Sequence, residues 1–440
     1  MSDTIETPST QDDLVDEIRT WLSENWDPDL TVGEWWQRLG LAGWSAPQLA
    51  TNAYGRGLSR NDAVRVQTEI AEFGALGAPG GLGLLLAAPT IADHGSQEQI
   101  DLYVRDIVTG AKAWCQLFSE PAAGSDLAGL TCRAELDGDE WTINGQKVWT
   151  SFGHVADLGM LIARTDPELP KHQGISWFSF DMHQPGVEVR PLVEMTGHAM
   201  FNEVFLSDAK VSNDAIIGER GKGWAVANST LMHERAGLGS GGGSAAAGMA
   251  TPGTVAGQLD KRAGDFVSGP KKRRSSGAAP IGGGGAKLLI DLAKGNGSIQ
   301  DPTIRQDLMK LHTLGEIGRF NNLRLKAAKK AGQDIPGIGN ISKLAMSDIM
   351  RSTRDVGLRI IGAAGMLHAY TDDQRAALEE ATGNPFGQMV TSIALWAQGP
   401  PIYGGTDQIQ RNIIGERVLG LPKEPGDTKN VPFSELPKNA

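Results

Sequence analysis

Three groups in this 440-residue chain have the residue types and spacing to do chemistry: a helix-borne glutamate, a loop of small residues and a tryptophan-to-serine strand end. Glu234 stands in Met232-His233-Glu234-Arg235, in helical texture that begins near Trp224. Taken singly, a helix glutamate is ordinarily an exposed carboxylate, and His233 beside it reads as a structural or lining residue. Glu120-Pro-Ala-Ala-Gly-Ser-Asp126 is a small-residue loop between a strand-like run and hairpins. There Gly124 lets the backbone approach a ligand, and backbone N–H groups with Ser125 can meet phosphate oxygens. Trp149, in Asn144-Gly-Gln-Lys-Val-Trp-Thr-Ser151, reads by itself as a core tryptophan. Metal and disulfide chemistry find little support. The two cysteines, Cys115 and Cys132, form no metal-type pair, and a reducing cytosol is the default.

The bulk numbers frame these groups. Lys+Arg 41 against Asp+Glu 52 leave a net charge of -11, which argues against general nucleic-acid or anionic-membrane binding. A local phosphate site built from amides and a few cations stays open. The start, MSDTIETPST, lacks a basic-then-apolar signal, and no apolar run reaches bilayer length. A soluble, cytoplasmic protein without a membrane span is expected.

The elements that must position the groups follow from periodicity. Leu14, Ile18, Trp21 and Leu22 share a helix face, and helical stretches follow near 61–77, 81–94 and 97–110. From about 115 the pattern alternates. Asp137-Gly138 and Asn144-Gly145 punctuate it, the sequence form of consecutive β-hairpins. Strand-like pieces continue at 158–163, 174–180, 187–191 and 203–206. Helices return at Trp224, are interrupted over 237–285 by Gly, Ala and Ser around Lys271-Lys-Arg-Arg274, and resume over 303–331, 340–365 and 371–397. That interruption cannot bury enough apolar area to offset its ordering entropy, so a mobile insert is expected, with the basic run a solvated loop. The reading is an α+β chain of three parts: a helical domain 1–115, a β domain 116–222 and a helical domain 223–440 carrying the insert.

The segment Gln116-Leu-Phe-Ser-Glu-Pro-Ala-Ala-Gly-Ser-Asp126 resembles the signature of acyl-CoA dehydrogenases. So do Asn144–Ser151 and a C-terminal block, Tyr403-Gly-Gly-Thr-Asp-Gln-Ile-Gln-Arg411. The blocks stand in family order and spacing and cover nearly the whole chain outside the insert. The resemblance implies an N-terminal helical domain, a middle β-barrel or sandwich and a C-terminal four-helix bundle, with FAD held between the last two and a neighbouring subunit contributing. By family match, Gln116, Phe118 and Ser119 face the flavin ring, and Ser125 a phosphate or the CoA chain. Trp149 packs on the isoalloxazine, and Ser151 replaces the usual threonine at flavin N5. Thr406 and Gln408 match FAD contacts. Arg359 stands where a glutamine usually receives FAD from the other subunit.

Most of the family carries its catalytic glutamate just before the Gly-Thr of the last block, and here that position is Gly404. Two readings follow: a structural subunit without catalysis, or a base from elsewhere. Met232–Arg235 resembles the isovaleryl-CoA and long-chain branch, where the glutamate sits on a helix before an arginine that helps bind CoA. The paired gain at 234 and loss at 404 favours Glu234 as the base, with Arg235 at the CoA end. The resemblance then implies α-proton removal by Glu234, hydride transfer to flavin N5, a trans-2-enoyl-CoA product and an electron-transferring flavoprotein as acceptor. In the family, the FAD ribityl hydroxyl and the base's own N–H stabilise the thioester oxygen. A base on the helix suits branched, long or bulky acyl groups.

One departure matters. The family's Arg-x-x-Phe-Gly segment, which reaches the partner's FAD pyrophosphate, has no counterpart over Leu288–Gly297 or Asp301–Gln306. Similar losses mark actinobacterial heteromers that act on steroid side-chain thioesters, so homo-oligomer and heterotetramer with an unlike chain stand side by side. An acyl-CoA oxidase and a non-catalytic or FAD-sharing subunit are the competing functions.

Overall fold

The structure, a computed structural model, describes residues 11–238, 250–267, 284–423 and 430–437. The described residues fall into two compact units. One is drawn from Met1–Leu192, Ala199–Arg273 and Asp427–Ala440, the other from Val193–His198 and Arg274–Gly426.

The first unit opens with helices α1 (Gln11–Asn25), α2 (Val32–Leu41), α3 (Arg60–Phe73), α4 (Ala88–His94), α5 (Gln97–Gln99) and α6 (Arg105–Val108). Leu14, Ile18 and Leu22 line the buried face of α1 at helical spacing. Thr31 and Glu34 close a reciprocal capping box at the start of α2. The sheet has seven strands: β1 (Trp114–Leu117), β2 (Arg133–Asp137), β3 (Glu140–Ser151), β4 (Leu158–Arg164), β5 (Ile175–Asp181), β6 (Val187–Leu192) and β7 (Phe201–Ser212). Their order is β1-β4-β2-β3-β7-β6, with β5 added to β4, a curled sheet between helical regions.

The Asp137-Gly138 turn joins β2 to β3 as expected, with Asp137 opposite Glu140 and Gly138 in the left-handed region at φ 61. Asn144-Gly145 is different. It lies inside β3, where the register against β7 shifts between Ile143 and Gly145. The reason is side-chain pairing: Asn144 Nδ2 donates to Asp208 Oδ1 at 3.0 Å, and Asp208 N donates back to Asn144 Oδ1 at 3.0 Å. That clasp stabilises a bulge instead of a reversal.

Helix α7 (Gly223–Leu238) packs within this first unit, against α4 and β5. Residues 250–267 also differ from the mobile insert that their composition predicts. Ala250 and Ala263 are buried with Leu259 and Phe266 against the α1–α3 core. The backbone of Lys261 and Leu259 accepts from Val32 and Gly33 at 2.8 and 2.9 Å. A few apolar anchors and shared backbone bonds outweigh the glycine content here. Residues 239–249 and 268–283, including Lys271–Arg274, lie outside the described residues.

The second unit holds α8 (Gly284–Gly295), α9 (Pro302–Lys330), α10 (Ile338–Ile361), α11 (Asp372–Thr382), α12 (Gly387–Trp396) and α13 (Asp407–Ile413). Leu289, Leu308, Val356 and Val390 come from α8, α9, α10 and α12 into one core, a four-helix arrangement. The helix expected over 371–397 is split into α11 and α12, because Gly383 adopts φ 62 as a left-handed cap and Pro385 follows. Among the described residues, no helix is long and apolar enough to cross a membrane.

Candidate functional site

Glu234 meets Gln116 where α7 passes β1. Helix α7 starts on β5: Gly221 N donates to Ser176 Oγ at 2.9 Å, and a Cβ on Gly223 would come within 2.5 Å of the Ser176–Trp177 backbone. Only glycine permits that approach. Ala227 and Thr230 are buried on one face of the helix, and Glu234 follows them at i+7 and i+4 on the same face. The residue is half-buried, and the Gln116 side chain on β1 acts on its carboxyl. Burial is the leading influence on that carboxyl and raises it above the ordinary 4.5, against the Gln116 amide and the Arg235 charge, which lower it. Arg235 itself is exposed.

Three polar pairs fix α7 against α4. Thr90 Oγ1 donates to Thr230 Oγ1 at 3.1 Å, with both residues fully buried. His94 Nε2 meets Ser229 Oγ at 2.7 Å, and His233 Nε2 meets Asp93 Oδ2 at 3.1 Å. His233 is thus a structural contact of the helix, as its sequence position predicts.

The end of β3 presents the aromatic surface. The register against β7 shifts again between Lys147 and Thr150, and Trp149 sits there at φ 61, with Phe152 at φ 56 just beyond the strand. Left-handed backbone at a tryptophan and a phenylalanine stores strain of the kind found at ligand sites. Trp149 is 56% exposed and meets Phe201 edge-on at 5.8 Å. Ser151 is half-buried, and the buried Thr150 hydroxyl has no partner among the described residues. Gly124 and Ser125 are exposed on their loop, and no heavy atom lies within 4 Å of where a Gly124 Cβ would stand. Ser119 is half-buried, whereas the Phe118 side chain is buried in the apolar core. An exposed aromatic face, a loop with room at its glycine and an unpartnered hydroxyl fit a planar cofactor bearing phosphates.

In the second unit, Thr406 caps α13 by accepting from Ile409 N at 3.2 Å, and Gln408 is exposed on its first turn. Arg359 is engaged with Asp307 and with Thr303 Oγ1, the latter at 2.7 Å. Gly404 adopts φ 64, a conformation that disfavours any side chain. Sequence reasoning missed Asp407, which is buried and accepts from Lys343, Ser347 and Arg351 at 2.9, 2.7 and 3.2 Å. Its signal was only its place inside the Tyr403–Arg411 block. It also missed the buried pair of Glu120 and Lys147, one from each of the first two blocks.

Models of the acyl-CoA dehydrogenase N-terminal, middle and C-terminal domains match residues 9–111, 115–209 and 290–419. Acyl-CoA dehydrogenase IpdE1 of Mycobacterium tuberculosis is 34% identical over 393 residues, 89% of this chain and 88% of that protein. The Mycolicibacterium smegmatis protein of the same name is 32% identical over 435 residues, 93% and 97% of the two chains. Among solved structures, the ChsE4–ChsE5 complex from Mycobacterium tuberculosis aligns with a TM-score of 0.65 and 25% identity, over 96% of this chain and 100% of that one. With all three domain models matched in order along most of its length, this chain belongs to the acyl-CoA dehydrogenase family, enzymes whose cofactor is FAD.

Proposed function

We propose that this protein oxidises the Cα–Cβ bond of an acyl-CoA thioester to the trans-2-enoyl-CoA, with Glu234 as the α-proton base. The observation that carries the reading is the place of Glu234, half-buried on the α7 face that carries buried Ala227 and Thr230, where burial raises its carboxyl. A carboxylate in water is far too weak a base for a thioester α-proton. Desolvation raises its proton affinity towards that of a working base, while donors at the thioester oxygen must stabilise the enolate. Glu234 lies in the interior of α7, so its own N–H belongs to the helical ladder. The donor role that the family gives to the base's N–H therefore falls here to another group. Bound FAD supplies the two-electron acceptor for the β-hydrogen. Trp149 offers its face to the flavin ring, Ser151 a hydroxyl, and Gly124 with Ser125 the phosphate-facing loop. Arg235 binds the CoA end.

The test is anaerobic bleaching of the flavin's visible band with straight, branched and steroid-type acyl-CoAs, using wild type and Glu234→Gln. Loss of bleaching by about 10³-fold with FAD content retained is expected. A variant that bleaches like wild type removes Glu234 from the reaction.

An unlike partner chain is the second element of the proposal. Its support is the missing Arg-x-x-Phe-Gly segment, the Arg359 side chain already engaged with Asp307, and a relative solved as a complex of two differently named chains. Solved relatives described as a steroid ACAD motivate the steroid-type thioesters in the panel. Electron-transferring flavoprotein is the proposed acceptor, and the net charge of -11 with both thiols buried and free supports a cytoplasmic enzyme. Full activity of the chain purified alone with one FAD per subunit would overturn the heteromer.

A further inference from the structure

We propose that Lys147 and Glu120 are positioning residues, a buried ion pair that sets both flavin-facing segments of the sheet at once. The proposal rests on the flavin surface described above and is independent of which residue acts as base. The Lys147 side chain is fully buried and that of Glu120 is 4% exposed, with Nζ and Oε1 2.9 Å apart. Every polar contact of the pair leads to a segment of the candidate site. Lys147 Nζ also donates to the Phe118 carbonyl at 3.1 Å, next to Ser119 and two residues from Gln116. Glu120 Oε1 accepts from Cys132 N at 2.9 Å, and Oε2 accepts from Thr131 N and Oγ1 at 2.7 and 2.9 Å. The carboxylate therefore ties together both ends of residues 121–130, the loop that carries Gly124 and Ser125. Glu120 and Ala123 exchange backbone bonds at 3.0 and 3.1 Å, which closes the turn leading into Gly124.

The lysine end works on β3. Lys147 is the last residue in regular register with β7 before the shift that holds Trp149 at φ 61 and leads to Ser151. Val148 N donates to Ser119 O at 2.9 Å, so the Lys147 ammonium and this backbone bond clamp residues 118–119 to the start of the bulge.

Stability alone does not call for such a pair. Replacing a buried ion pair by apolar residues of like volume is often neutral or stabilising. What an apolar pair cannot do is bond the Phe118 carbonyl and three donors of residues 131 and 132. The pair fixes geometry that packing leaves free.

The test titrates FAD into apoprotein of the full chain, followed by flavin fluorescence and by the visible spectrum of the complex. The variants are Lys147→Met/Glu120→Gln, which removes both charges together, and Thr131→Val, which removes only the hydroxyl bond to Glu120. The folded double variant is expected to bind FAD about tenfold or more weakly with a shifted flavin band, and Thr131→Val about threefold more weakly. Thr131→Val is mild enough to fold even where the double variant does not. Folded variants whose FAD affinity and spectrum equal wild type, with only the unfolding midpoint lowered, would overturn the proposal. Glu234→Gln separates the two readings: it abolishes turnover without weakening FAD, whatever the outcome for Lys147 and Glu120.

Discussion

The Gln116 side chain on β1 acts on the Glu234 carboxyl on α7, although the two residues lie more than a hundred positions apart in sequence. The Gln116 amide favours the charged carboxylate, while burial disfavours it more strongly, so the net direction is upward from 4.5. Activity that needs the carboxylate falls as pH falls through this raised value, so the acid limb of kcat/KM lies above 4.5. Gln116→Leu removes the amide that favours the charged form, and the limb moves to higher pH. A pH–rate profile of both proteins measures this, and a limb that moves to lower pH refutes it.

The same shift has a stability sign. A group whose folded value is raised contributes stability that is complete below its unfolded value and is lost as pH rises through the folded one. Glu234→Gln should therefore unfold at a higher temperature than wild type at neutral pH, and the difference should close below about pH 4.5. Thermal melts across pH, with FAD saturating, read it out.

Thr90 and Thr230 join α4 to α7 through one buried hydroxyl pair. Thr230→Val leaves the Thr90 donor unpaired and should cost about 1–3 kcal/mol, whereas Thr90→Val/Thr230→Val removes both groups and should recover about half of that loss. Denaturant unfolding of the single and double variants gives the coupling directly. Additive losses would show that the pair does not hold the helix.

Gly404 occupies the position at which the sequence resemblance expects a base, and its φ of 64 costs a residue with a Cβ about 1–2 kcal/mol. Gly404→Glu is expected to destabilise the chain by about that amount and to leave Glu234→Gln inactive. Flavin bleaching by Glu234→Gln/Gly404→Glu at a tenth of the wild-type rate would contradict this.

Gly253 anchors residues 250–267. Its φ is 93, and a Cβ would stand 2.6 Å from Ala113 Cβ and 2.7 Å from Asp157 Oδ2. Buried Asp157 accepts from Ala113 N at 2.7 Å and from Thr254 N at 3.1 Å. Gly253→Ala should lower stability by more than about 1 kcal/mol and speed protease cleavage within 250–267. Cleavage at the wild-type rate would show the anchor to be dispensable.

Most of the helices and strands are readable in the sequence, because Leu14, Ile18 and Leu22, or Ala134 and Leu136, repeat with the period of their element, whereas α2 and α8 go unread. The candidate base is readable only through a resemblance, since nothing local distinguishes Glu234 from a surface glutamate. Three features escaped. Asn144-Gly145 carries a turn signal, and its partner Asp208, which turns it into a bulge, lies more than sixty residues away. Residues 250–267 have a disordered composition, and what orders them is backbone pairing to residues 28–33, invisible to any local pattern. Lys147 and Glu120 each look like surface charges until the fold brings them together.

Helix α7 follows the sheet in sequence but packs in the same unit as β1 and β3. The proposed proton acceptor, the tryptophan proposed to face the flavin and the loop proposed to face its phosphates thus ride on a single body. Substitutions in the second unit leave the residues that carry these three parts unchanged. Divergence in acyl preference or assembly can then proceed without re-tuning the chemistry each time.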